Sequence, residues 1–212
     1  MSRRLPVYLL LDVSGSMTGE PITAVQNGVQ TMVSALMNEA QALETAYLSV
    51  ITFSNSAEQL IPLTPLNQFN PPQLTAGGMT SLGEALKLVA DCAEREVVKN
   101  TPDAKGDWRP LVFLLTDGCA TDDVSKGLAE FKKRKWGIVV ACAAGSGADT
   151  AELSKITEAV VTLDTADSST LAAYFRWVTA SIVTSSKSVG TANQEPSGLE
   201  QLPPAPPEIQ VL

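Results

Sequence analysis

Side chains that can act together first appear in Asp12-Val13-Ser14-Gly15-Ser16, one acid and two hydroxyls at alternate positions. A carboxylate beside two hydroxyls is a hard-oxygen set. It suits Mg²⁺, Mn²⁺ or Ca²⁺ rather than a soft metal. The run before it, Val7 to Leu11, is large and apolar throughout, without alternation. That pattern reads as a strand buried on both faces inside a parallel sheet. An acid at its end falls on the carboxyl edge of the sheet, where open α/β folds place their ligands. Composition removes other chemistries. The chain has no histidine, which excludes Ser-His-Asp and Cys-His catalysis and histidine-ligated zinc. Its cysteines, Cys92, Cys119 and Cys142, lack the spacing of a zinc knuckle or a redox pair. Cys92 sits in a helical pattern and Cys142 in an apolar strand, so both read as small buried hydrophobes of a cytoplasmic protein.

The Asp12–Ser16 element resembles the D-x-S-x-S motif of the von Willebrand factor A (VWA) family, where it forms the core of a metal-ion-dependent adhesion site. The resemblance covers roughly residues 5 to 185. It implies a ligand threonine in a second loop, matched by Thr80 in Gly77-Gly78-Met79-Thr80-Ser81-Leu82. It also implies an aspartate at the end of a later strand, matched by Asp117 in Leu114-Leu115-Thr116-Asp117-Gly118. Asp12, Ser14, Ser16, Thr80 and Asp117 are then expected to hold one divalent cation, some through water. Mg²⁺ is the first choice, with Mn²⁺ or Ca²⁺ as alternatives. Two carboxylates leave such a cation electrophilic, and a carboxylate or phosphate of a protein partner can complete its coordination. Met17, Gly78, Met79, Cys119 and Thr121 are expected on the partner-binding rim. The implied architecture is α/β: a doubly wound, Rossmann-like, mostly parallel sheet of six strands in the order 3-2-1-4-5-6, with one antiparallel edge strand and helices on both faces. The loop Asp117-Gly118-Cys119-Ala120-Thr121-Asp122 further resembles the T-D-G-x-P-T-D loop of bacterial tellurite-resistance TerY-type VWA proteins, with Ala120 where that pattern has proline. Similarity to that group implies a phosphoprotein-binding scaffold working beside a protein kinase and a PP2C-type phosphatase in tellurite or stress-response signalling.

The elements that must position these residues follow from periodicity. Pro21 opens a helix carrying Ile22, Val25, Val29, Met32, Val33, Leu36 and Leu43 at helical spacing. Tyr47–Phe53 and Ala57–Leu63 form an edge hairpin around Asn55-Ser56. Prolines 62, 65, 71 and 72 mark a long connection. Ser81-Leu82-Gly83-Glu84 fits a capping box, so Thr80 stands just before a helix with Leu82, Ala85, Leu86, Val89 and Ala93 on one face. A bland alternative has Thr80 itself as the cap. Asn100–Arg109 reads as an exposed loop and Pro110–Leu115 as a buried strand. Asp122 and Asp123 then cap a helix that ends in Lys132-Lys133-Arg134-Lys135. That basic run is either a solvated helix end favoured by the dipole or a patch for phosphate or an acidic partner. Gly137–Ala144 is a further strand, and Gly145-Ser146-Gly147 an ordinary turn without P-loop spacing. A short last strand, Ala159–Leu163, precedes a final helix capped by Ser168 or Ser169.

The net charge of −8 argues against nucleic acid as a general partner. The apolar run ending at Asp12 is too short for a secretory leader, and no run reaches membrane-spanning length. Residues 1–185 are expected to form the VWA domain. Residues 186–212, rich in proline, are expected to form a flexible tail. Enzymatic use of Asp12 as a phosphoacceptor beside Mg²⁺ is the competing class. It calls for a second nearby acid or an activating lysine, and no lysine lies in the site loops. A third reading is a structural subunit whose cation only stabilises the fold.

Overall fold

The computed structural model describes residues 3–212. Strand β1 (Leu5–Asp12) is followed by α1 (Glu20–Leu36), the short α2 (Ala40–Thr45), the hairpin β2 (Ala46–Phe53) and β3 (Ala57–Pro65), and α3 (Leu82–Glu96). Then come β4 (Leu111–Thr116), α4 (Val124–Lys132), β5 (Val139–Ala144), α5 (Thr150–Ile156), β6 (Ala159–Leu163), α6 (Ser168–Thr191) and β7 (Gln210–Val211). The strands make one sheet in the order β3-β2-β1-β4-β5-β6-β7. It is parallel from β2 to β6 and antiparallel at both edges.

β1 explains its own composition. It is buried along its whole length, and alternate residues enter different cores. Leu5, Val7, Leu9 and Leu11 pack with Val29 and Met32 of α1 and Tyr174 and Val178 of α6. Tyr8 and Leu10 face Leu86, Phe131 and Leu153 of α3, α4 and α5. A strand between two helical layers needs apolar residues at both parities, so its run is unbroken. β1 lies between β2 and β4, with Asp12 opposite Phe53 and Leu11 opposite Leu115. This puts Asp12 and Asp117 at the same carboxyl edge.

Several expectations change. Pro21 lies in the first turn of α1, which begins at Glu20, and α1 stops at Leu36. Leu43 therefore falls on α2 and is exposed. Pro62 and Pro65 belong to β3 rather than to a connection. They are tolerated because β3 is an edge strand whose pairing with β2 is interrupted by a register shift. The loop 100–109 is exposed over residues 100–105, as expected, but its end is anchored: Trp108 is buried under the Arg3 guanidinium, and Asp107 accepts hydrogen bonds from Arg4 and the Val98 amide. Asp167, not Ser168 or Ser169, caps α6 through the amides of Ser169 and Thr170.

The C-terminal segment differs most. The division at 185/186 falls inside α6, where Ser185, Ser186 and Val189 are all buried. Beyond the helix the chain docks on the domain instead of running free. Trp177 Nε1 donates to the Pro203 carbonyl at 2.9 Å, Ile209 is buried in the α1/α6 core, and β7 adds a seventh strand beside β6. Proline-rich composition disfavours helices and central strands, but it leaves an extended segment able to lie on an apolar surface.

Candidate metal centre

The Asp12 carboxylate is fully buried. Its Oδ1 accepts from the Ser14 amide at 2.8 Å, and its Oδ2 accepts from the Thr116 hydroxyl at 2.6 Å. Among the described residues it makes no ion pair. Burial raises its pKa above the usual carboxylate value, the hydrogen bonds from Ser14 and Thr116 oppose that rise, and the nearby charge of Asp117 adds to it. A buried carboxylate without a cationic side chain normally has another compensating partner.

The other expected ligands gather around it. The Ser14 and Ser16 hydroxyls are 3.0 Å apart, and Ser16 Oγ donates to Asp117 Oδ1 at 2.6 Å. A Cβ added to Gly118 would stand 3.6 Å from Thr80 Oγ1 and 3.8 Å from Ser16 Oγ, so both hydroxyls border that glycine. Asp12, Ser14, Ser16, Thr80 and Asp117 thus come from three loops to one place.

The loops are fastened by backbone. The Gly15 amide donates to the Gly78 carbonyl at 2.9 Å, and the Gly77 amide to the Val13 carbonyl at 2.8 Å. Gly78 adopts φ +85°, and a Cβ there would also strike Asn55, so glycine is required. Asn55 Oδ1 accepts from the Met79 amide at 3.0 Å. Thr80 is held twice by Thr121: its amide donates to Thr121 Oγ1 at 3.0 Å and its carbonyl accepts from the Thr121 amide at 2.9 Å. The expected capping box does not form. Ser81 precedes α3, but its hydroxyl donates to the Asn55 carbonyl. The cap comes instead from Asp122, which accepts from the amides of Gly83 and Glu84 at 3.0 and 2.9 Å. Asp123 caps α4.

On the rim, Gly78, Met79 and Cys119 are exposed, with Met79 57% accessible. Cys119 Sγ donates to the Gly147 carbonyl at 3.3 Å, bringing the β5–α5 turn to the site. Met17 is not on the rim: it is fully buried in the α1/α6 core, because the 3₁₀ turn Gly15–Met17 sends its apolar side chain inward. Thr121 is exposed, yet its oxygen is spent on Thr80. Sequence reasoning missed three supports: Thr116, Asn55 and Asp122. Thr116 carried a signal, a hydroxyl at a strand end next to an acid.

Among the described residues no group of three or more His, Cys, Asp or Glu side chains is placed to hold a metal ion. The donor set is two carboxylates and three hydroxyls, which fits a hard divalent cation. Such an ion would be held by Asp12, Ser14, Ser16, Thr80 and Asp117, and would supply an electrophilic position for a partner's oxygen.

The family profile described as von Willebrand factor type A domain matches residues 7–174. No curated protein matches the chain. Among solved structures, proximal thread matrix protein 1 from the mussel byssus, with a zinc-occupied MIDAS motif, is 21% identical with a TM-score of 0.60. That alignment covers 84% of this chain and 48% of that one. A von Willebrand factor type A protein from Catenulispora acidiphila is 21% identical with a TM-score of 0.61, covering 86% and 43%. The pilus adhesin SpaC from Lactobacillus rhamnosus GG, in its open conformation, is 17% identical with a TM-score of 0.64, covering 86% and 30%. The chain thus spans less than half the length of each of these neighbours. Their likeness is one of fold, whereas the family profile spans more than half of the present sequence. The chain belongs to the von Willebrand factor type A domain family.

Proposed function

We propose that this chain is a metal-dependent protein-binding module that captures an acidic or phosphorylated residue of a partner. The observation that carries this reading is Asp12: a fully buried carboxylate with no ion pair among the described residues, at the meeting point of three hydroxyl-bearing loops. A divalent ion supplies the missing positive charge. The exposed Ser16 and the half-buried Asp117 leave that ion open on its outer side. Mg²⁺ is the proposed ion, since every donor is oxygen. The zinc in the MIDAS motif of the mussel protein supports a divalent ion there, and the adhesin among the neighbours supports a binding role.

We take the role as binding rather than catalysis: Asp117 puts a second acid near Asp12, but no lysine lies in the site loops to activate a transferred group. The loop Asp117–Asp122 favours a TerY-type scaffold placed between a kinase and a phosphatase in a tellurite or stress response. The cysteines are unpaired and no helix is long and apolar enough to cross a membrane. Both observations are compatible with the cytoplasmic location we propose.

Calorimetry with Mg²⁺ and Mn²⁺ tests the site. One binding event is expected for the wild type and none for Asp12→Ala. Affinity capture of partners, with and without EDTA, tests the role. Capture of the same partners by Asp12→Ala and by wild type in EDTA would overturn the metal-dependent reading.

A further inference from the structure

A second surface lies at the opposite end of the sheet. β4 runs from Leu111 near this surface to Thr116, next to Asp117. At about 3.3 Å per residue, a strand of that length separates its ends by roughly 17 Å. The surface is built around Trp136, in the turn between α4 and β5. Its indole stacks on Phe131 with centroids 4.6 Å apart, and its Nε1 donates to the Phe131 carbonyl at 2.8 Å. The ring is therefore fixed and its one donor is satisfied.

Two hollows border the indole. One, of about 290 Å³, is floored by Ala93, Val97 and Pro110. The other, of about 350 Å³, is floored by Ile138, Ile156 and Ala159. Around them stand Lys99, Lys132, Lys133, Arg134 and Lys135, a third of the 15 basic residues in a chain of net charge −8. The acids nearby do not cancel them. Glu94 is shared by Lys99 and Arg134, and Glu130 is engaged by Lys133. Lys132 and Lys135 make no ion pair among the described residues, and Glu158 is the other acid lining the hollows. Arg134 Nε is buried with no hydrogen-bond partner.

We infer that this corner docks an acidic protein segment, an apolar or aromatic side chain entering beside Trp136 while flanking carboxylates meet Lys132 and Lys135. Charge complementarity selects the occupant. A basic corner on an acidic molecule attracts a short acidic segment, whereas a nucleic acid would be repelled by the rest of the surface. A rigid tryptophan among fixed apolar walls supplies the desolvated anchor of a protein-binding spot, and the cations supply its rim. This surface is separate from the metal centre, so the two can hold different partners at once.

The test uses the full chain and a fluorescein-labelled peptide rich in Asp and Glu with one central Phe. The same peptide with Phe→Gly and an oligothymidylate of equal charge serve as comparators. Anisotropy should show saturable binding of the Phe peptide that weakens with salt and is equal in Mg²⁺ and in EDTA. The double variant Lys132→Gln, Lys135→Gln should weaken it roughly tenfold without changing the melting temperature. Trp136→Leu should weaken it further, with circular dichroism reporting whether that variant keeps its fold. Absence of Phe-peptide binding, indifference to the two lysines, or tighter binding of the oligothymidylate would each overturn the inference. Because the readout holds in EDTA, its failure is distinct from failure of the metal centre.

Discussion

At the scale of single residues, the candidate metal centre is a set of compromises around one carboxylate. Burial lifts the Asp12 pKa, so in the metal-free folded state Asp12 keeps its proton where the unfolded chain has already lost it. The stability that proton carries is present at low pH. It is lost as pH rises from the ordinary carboxylate range through the raised folded pKa. Asp12→Asn removes the titration, and its amide can still serve Ser14 and Thr116. In EDTA the variant should melt above the wild type, by a margin that widens as pH rises from the ordinary carboxylate range through the raised folded pKa. A variant melting below the wild type across that range would mean the hydrogen bonds outweigh the burial. Asp122→Ala should cost about 1 kcal/mol, the usual worth of a helix cap, and loosen Thr80 through the neighbouring Thr121. Chemical denaturation would measure the first effect and metal affinity the second. Asp12, Ser14 and Ser16 could be read from the sequence because their relation is local. Asn55 and Asp122 could not, since they bond residues 24 and 39 positions away; Thr116 showed its type and its place at a strand end, but not its bond to Asp12, 104 positions away. Met17 was misplaced because position along the chain does not say which way a turn points.

At the scale of elements, legibility tracked burial. β1, β4 and β5 could be read as central strands because both faces are apolar, and α1 and α3 because each shows one apolar stripe. The edges could not be read so well. β3 tolerates proline, and β7 is two residues long and held by tertiary contacts that leave no periodic trace. A chain ending at Ala192 should therefore lose stability. It forfeits the burial of Ile209, worth about 2 kcal/mol, and the Trp177–Pro203 bond, worth about 1 kcal/mol. Thermal melting should fall by roughly 5–10 °C, and an unchanged midpoint would show that the docked segment contributes nothing. The α1–α6 contact gives a second test. A Cβ on Gly28 would lie 2.2 Å from the buried Phe175 ring. Replacing glycine by alanine inside a helix gains about 1 kcal/mol in propensity. Forcing the two helices apart costs about 1–3 kcal/mol. The packing cost is expected to win, so Gly28→Ala should melt below the wild type.

At the scale of the whole molecule, a net charge of −8 makes any metal effect ambiguous unless it is controlled. Added salt screens repulsion across an acidic surface and raises stability without occupying a site. A specific ion acts differently: it binds the native state by mass action, and at a hundredfold excess over its dissociation constant it adds about 2.7 kcal/mol. For a chain of this size that is roughly 5–10 °C. Wild type in Mg²⁺ should therefore melt higher than wild type in NaCl of equal ionic strength. Asp12→Ala should show only the response to ionic strength. The substitution empties a position at the end of β1 without touching the two cores, so the variant is expected to fold, and its EDTA melt verifies that. Equal Mg²⁺ shifts in wild type and variant, both matched by NaCl, would reduce the metal effect to screening and leave Asp12 buried for a reason other than an ion.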